Sequence, residues 1–182
     1  MREVLFENLD SAFSSVRHRR FLVYLMGPYK SHAAENEEMY GRLESLRNQL
    51  RSDGYNAFLA TDPDIPLSEI DAGTQSLEFA RASNVVLFVV PSDGMNLGVG
   101  IEVGAVLEDM SERRRRRILF LHEEEMQSAM IGAVGDRWNA MRRSFEDDAD
   151  LYDESLLFVR DVMRSEVYGD LSKVPGGKAG ES

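Results

Sequence analysis

Three features of this sequence predict a doubly wound, flavodoxin-like α/β fold with a five-stranded parallel sheet in the order 2-1-3-4-5. Val85 to Val90 form an unbroken, β-branched-rich apolar run stopped by Pro91, as expected of a central parallel strand buried on both faces. Strand-like and helix-like segments alternate along the chain, which is the pattern of successive βαβ units with right-handed crossovers. The 182 residues suffice for one domain with its own core, and no internal repeat is present.

Residues 1–20 read as a helical extension, with Val4, Leu5, Leu9, Phe13 and Val16 at mostly helical spacing; Arg17 to Arg20 read as a solvated linker. The domain proper spans residues 21–168. Phe21 to Met26 (FLVYLM) is the first strand, ended by Gly27-Pro28, and a helix from about Ala34 to Arg51 is closed by Asp53-Gly54. Asn56 to Ala60 is a short second strand, and TDPDIP is a turn-rich loop. From about Leu67 to Ser83, Ile70, Leu77, Phe79 and Ala80 suggest a helix, which Gly73 weakens.

The central strand is followed by a Gly-rich turn and a helix beginning near Gly98. The five arginines of Glu112 to Arg117 are expected to end that helix favourably for its dipole. Ile118 to Leu121 is a fourth strand and HEEEM opens an acidic loop. Gln127 to Val134 is a short helix, Asn139 to Phe145 a fifth strand, and Leu151 to Val167 a last helix offering Leu156, Leu157, Val159, Val162 and Met163 for packing. Residues 169–182 read as a flexible tail.

Composition narrows the chemistry. The absence of cysteine excludes disulfides, thiolate catalysis and Cys-ligated metals. His18, His32 and His122 are too scattered to suggest a metal centre. A formal net charge of −11 argues against a polymeric nucleic-acid partner or an anionic membrane surface, although small anions remain open wherever a local cation and backbone amides override the field. Only Lys30, Lys173 and Lys178 of the 21 basic residues are lysine, and this acidic, lysine-poor balance is the one expected of a high-salt cytoplasm. No apolar stretch approaches a membrane span or a signal peptide core, so a cytoplasmic location is expected.

In a 2-1-3-4-5 sheet, ligands bind beyond the carboxyl ends of the strands, at the switch between strands 1 and 3. There the sequence places MGPYK and PSDGMNLGVGIE. Glu102 stands among Gly98, Gly100 and Gly104, and a charge in such small, apolar company is costly to bury unless something binds it. Tyr24 is either a core aromatic with its hydroxyl at the surface or a phenol of the site. Gly98 and Gly100 serve either close helix–strand packing or an anion cradle at the helix N-terminus, with Lys30 adding charge.

Val23 to Pro28 (VYLMGP), Ser76-Leu77-Glu78-Phe79 before Asn84-Val85-Val86, Leu97 to Gly104 (LGVGIEVG) and Ser128-Ala129-Met130-Ile131 together resemble the nucleoside 2-deoxyribosyltransferase superfamily, nearest to its 2′-deoxynucleoside 5′-phosphate N-hydrolases. The resemblance covers roughly residues 21–165, and LGVGIEVG is its most specific block. It implies cleavage of an N-glycosidic bond in a deoxynucleoside 5′-monophosphate, by hydrolysis or transfer, with Glu102 as nucleophile at the anomeric carbon. Tyr24 would position that carboxylate or the sugar. Gly27, Lys30, Asn96, Gly98 and Gly100 would line the sugar and phosphate, and Ser128 would come from the second subunit of a homodimer. No metal and no organic cofactor is implied. Where the family carries a sugar-contacting aspartate, this sequence offers Ser76, which cannot act as a carboxylic acid; Asp71 is the nearest substitute. Two other functions fit the same residues: a non-catalytic nucleotide-binding or sensing module, and a glycohydrolase acting on a dinucleotide such as NAD.

Overall fold

A computed structural model describes residues 21–27, 35–63, 72–90, 97–124, 138 and 140–168. The expected N-terminal helix, the helix at Gln127 to Val134 and the C-terminal tail lie outside these residues. Five parallel strands, β1 (Leu22–Met26), β2 (Asn56–Leu59), β3 (Val85–Val90), β4 (Ile118–Glu123) and β5 (Met141–Phe145), form one sheet in the order β2-β1-β3-β4-β5. The predicted doubly wound topology is the observed one.

Strand alternation divides the core into two layers. Val23, Leu25, Leu87, Val89 and Leu119 face one side, covered by α1 (Glu35–Ser52) and α5 (Asp148–Tyr168). Tyr24, Met26, Val86, Phe88 and Phe120 face the other, covered by α2 (Ala72–Ala82) and α3 (Leu97–Asp109). All six residues of β3 are buried, which explains its lack of polar alternation. On the second face the Phe88 and Phe120 rings stack with centroids 4.8 Å apart.

Helix α1 ends in a Schellman turn. Tyr55 N–H donates to Leu50 O and Gly54 N–H to Arg51 O, both at 3.0 Å, with Gly54 at φ 91°. An L side chain in that conformation crowds its own carbonyl, so Gly54→Ala is expected to cost roughly 1 kcal/mol. Urea unfolding reads this directly, and an unchanged midpoint would contradict it. At the other end of the chain Asp147 caps α5, its Oδ1 accepting the N–H groups of Ala149 and Asp150 at 2.9 Å.

Three expectations are corrected. The arginine run does not close the long helix: α3 stops at Asp109, and Glu112–Arg115 form a separate single-turn helix, α4. Arg115 turns back to the α3 end, its Nε donating to Leu107 O at 3.0 Å and Met110 O at 2.9 Å. Strand β4 continues through His122 and Glu123, because pairing with β5 extends to Glu123 opposite Phe145. On α5, Leu157 is turned outward and 53% exposed, while Phe158, passed over in the helical pattern, is buried.

Candidate functional site

Parallel strands joined by helical crossovers bring the N-termini of α2 and α3 to the carboxyl ends of β1 and β3. Position 27 shows how tightly this end is built. Gly27 directly follows β1, and a Cβ there would stand 2.9 Å from Leu43 Cδ1 and 3.1 Å from the backbone oxygen of Val89. Packing between β1, β3 and α1 therefore accounts for this glycine by itself.

Tyr24 is fully buried, midway along β1 and paired with Phe58 and Val86. Its ring stacks on Phe58 at 5.0 Å and meets the edge of Phe79 at 5.6 Å. The phenol hydroxyl does not reach the surface; it donates a long hydrogen bond of 3.5 Å to Ser76 Oγ, in the second turn of α2. Ser76 is itself buried. Two residues singled out from the sequence, 52 positions apart, are thus brought together under the start of α2.

Helix α3 lays Val103, Val106 and Leu107 on the second face of the sheet. Gly98, Gly100 and Glu102 lie in its first two turns; the backbone places them there, and their side-chain surroundings are outside what is described. Position 102 falls seven residues, about two turns, before Asp109. At Asp109, Arg81 of α2 forms a two-pronged ion pair through Nε and Nη2. The Arg81 contact holds the Asp109 carboxyl below the usual carboxylate range, and the pair fixes α2 against α3 below the glycine-rich turns. Lys30, Asp71, Asn96 and Ser128 lie outside the described residues.

The loop leaving β2 has a fixed origin. Asp62 is buried and accepts from Arg47 Nη1, from Arg51 Nη2 at 2.7 Å and from the Leu59 N–H at 3.1 Å. Tyr40 and Thr61 share a hydroxyl hydrogen bond of 2.9 Å. Together these tie the first residues of the β2–α2 connection to α1. The sequence showed only a turn-rich loop here, since nothing local marks Asp62 as the partner of Arg47 and Arg51.

A second residue escaped sequence reasoning. Gln75 stands beside Ser76 and is 8% exposed, and its Nε2 has no hydrogen-bond partner among the described residues. A polar residue on an otherwise polar helix start gave no signal of burial. No group of three or more His, Asp and Glu suited to a metal ion occurs among the described residues. None of the described helices is long and apolar enough to cross a membrane.

The family model described as a domain of unknown function (DUF7509) matches residues 32–175. No curated protein matches the sequence. Solved structures that resemble the fold include the CMP N-glycosidase BcmB of Clostridium botulinum, at 17% identity and TM-score 0.52, covering 75% of this chain and 98% of that one; BlsM, at 16% and 0.56, covering 86% and 98%; and a 2-deoxyribosyltransferase from Bacillus psychrosaccharolyticus, at 16% and 0.50, covering 76% and 95%. At these identities the likeness is one of fold.

Proposed function

The chain belongs to the family described as a domain of unknown function (DUF7509), and for it we propose cleavage or transfer at the N-glycosidic bond of a nucleoside 5′-monophosphate. The observation that carries this reading is the meeting of Tyr24 and Ser76 under the first turns of α2, beside the helix whose early turns hold Gly98, Gly100 and Glu102. Two proteins that share the fold are an N-glycosidase and a deoxyribosyltransferase by name, which supports this chemistry over other uses of a doubly wound sheet.

In the proposed reaction the Glu102 carboxylate attacks C1′ as the C1′–N bond breaks, and the base leaves with the bonding electron pair and is protonated. Water then attacks C1′ of the glycosyl ester, giving the free sugar phosphate and regenerating the carboxylate. Asp71 is the proposed proton donor to the base, since Ser76 has no acidic proton to give. Tyr24 is assigned to orienting the sugar or Glu102. Amide groups at the α3 N-terminus, with Gly98 and Gly100, and Lys30 hold the phosphate; Gly27, Ser76 and Asn96 border the sugar. Ser128 is assigned to the neighbouring site of a homodimer. The protein is proposed to work in the cytoplasm without metal or organic cofactor.

Incubation with deoxy- and ribonucleoside monophosphates and NAD in molar KCl, followed by chromatography of free base, tests the assignment. Base release from a monophosphate is expected. Nicotinamide release alone would shift the substrate to a dinucleotide. Nucleotide binding without any release would favour the second reading, a nucleotide-sensing module. That reading draws on Ser76, which offers Tyr24 a hydroxyl where a sugar-contacting carboxylate is expected.

A further inference from the structure

The carboxamide of Gln75 is the one buried side-chain group among the described residues with an unpaired polar atom. Buried donors are nearly always satisfied, and leaving one without a partner costs about 1–3 kcal/mol. Ser76, the next residue, already meets the Tyr24 hydroxyl. Gln75 is thus a donor for which the described residues supply no acceptor.

Its position says where that partner arrives. Gln75 and Phe79 are four residues apart and share one flank of α2. The Phe79 ring lies against Tyr24 and Phe58, with centroids 5.6 Å away in both cases. Gln75 lies one turn closer to the helix N-terminus, and helical side chains lean further that way, toward the carboxyl ends of the strands where such sheets bind ligands. Surroundings of aromatic rings and a neutral amide disfavour a phosphate dianion, which needs cations or several N–H groups to offset its desolvation. They suit the flat, apolar body of a nucleobase that carries one acceptor.

We propose that Gln75 is a specificity-determining residue whose Nε2–H donates to an uncharged acceptor on the bound base, a carbonyl oxygen or an unprotonated ring nitrogen. This rests on the nucleotide reading given above. A base presenting an amino group at that point would set donor against donor and bind more weakly.

Gln75→Met and Gln75→Leu keep the volume and remove the donor. Each is compared with wild type by thermal unfolding without ligand and by calorimetric titration with the deoxy- and ribonucleoside monophosphates. The ligand-free midpoint is expected to hold or rise, since an unsatisfied buried group is gone, while Kd for the preferred nucleotide rises roughly tenfold as its acceptor loses a partner. Unchanged Kd in both variants would overturn the proposal and leave the nucleotide reading intact. A lowered ligand-free midpoint in both would also overturn it, by showing that the amide serves the fold. If wild type bound none of the nucleotides, the nucleotide reading itself would fail and the role of Gln75 with it.

Discussion

Glu102→Ala is expected to lower base release by about 10⁴-fold or more, since removing a nucleophile abolishes the covalent route and leaves only binding and orientation. The substitution lies in the second turn of α3, ahead of Val103, Val106 and Leu107, which carry that helix's packing on the sheet. Folding should survive the change. The loss is therefore expected in kcat, with a nucleotide Kd within a few-fold of wild type, because the proposal assigns phosphate and base to other groups. Glu102→Gln separates charge from shape: it keeps the volume and removes the carboxylate, and it should be as inactive as the alanine variant. Retained turnover in Glu102→Gln would move the nucleophile elsewhere.

The largest stability effect outside the hydrophobic layers is expected at Asp62. Its side chain is 1% exposed and sits between Arg47, 12% exposed, and Arg51. Removing one member of a buried ion pair leaves an uncompensated charge and, here, an unpaired Leu59 N–H. Arg51 is half in solvent and also donates to Ala57 O at 2.7 Å, so it recovers hydration easily; Arg47 does not. Asp62→Ala is expected to cost about 2–4 kcal/mol, lowering Tm by about 5–15 °C in a domain of this size. Asp62→Asn keeps an acceptor for Leu59 and should lose less. A loss below about 0.5 kcal/mol for the alanine variant would mean that the cluster is ordinary surface pairing. Base release by folded Asp62→Ala should also fall, because this carboxylate fixes the start of the connection that leads to Asp71 and α2.

How much of this could be read from sequence depended on whether the signal was local. The run Val85 to Val90 identified β3 to the residue, because a strand buried on both faces writes a continuous apolar word. Gly54 announced the end of α1 for an equally local reason, its left-handed backbone. Strand order followed once the alternation of elements was recognised. By contrast, the arginine run looked like one dipole-complementing end, yet a break at Met110-Ser111 splits it off as α4 and Arg115 turns back to the α3 carbonyls. His122 and Glu123 belong to β4 because β5 pairs with them, a contact that no local pattern records.

The site divided in the same way. Tyr24 and Ser76 were both singled out, but their hydrogen bond depends on how α2 crosses β1. Asn84 looked like the residue before a strand, whereas its Oδ1 accepts the Leu22 N–H at 2.9 Å and its Nδ2 donates to Glu166, tying β1, β3 and α5 together. Gln75 and Asp62 were missed because a buried polar residue resembles an exposed one until its surroundings are known.

The central claim, that Glu102 forms a covalent bond to the sugar, is tested most directly by intact-protein mass spectrometry of samples acid-quenched during turnover of the preferred nucleotide. The account predicts an added mass equal to the substrate's sugar phosphate less water, localised by peptide mapping to the segment containing Glu102 and absent from Glu102→Gln. Steady base release with no adduct at any quench time, or an adduct that persists in Glu102→Gln, would contradict it.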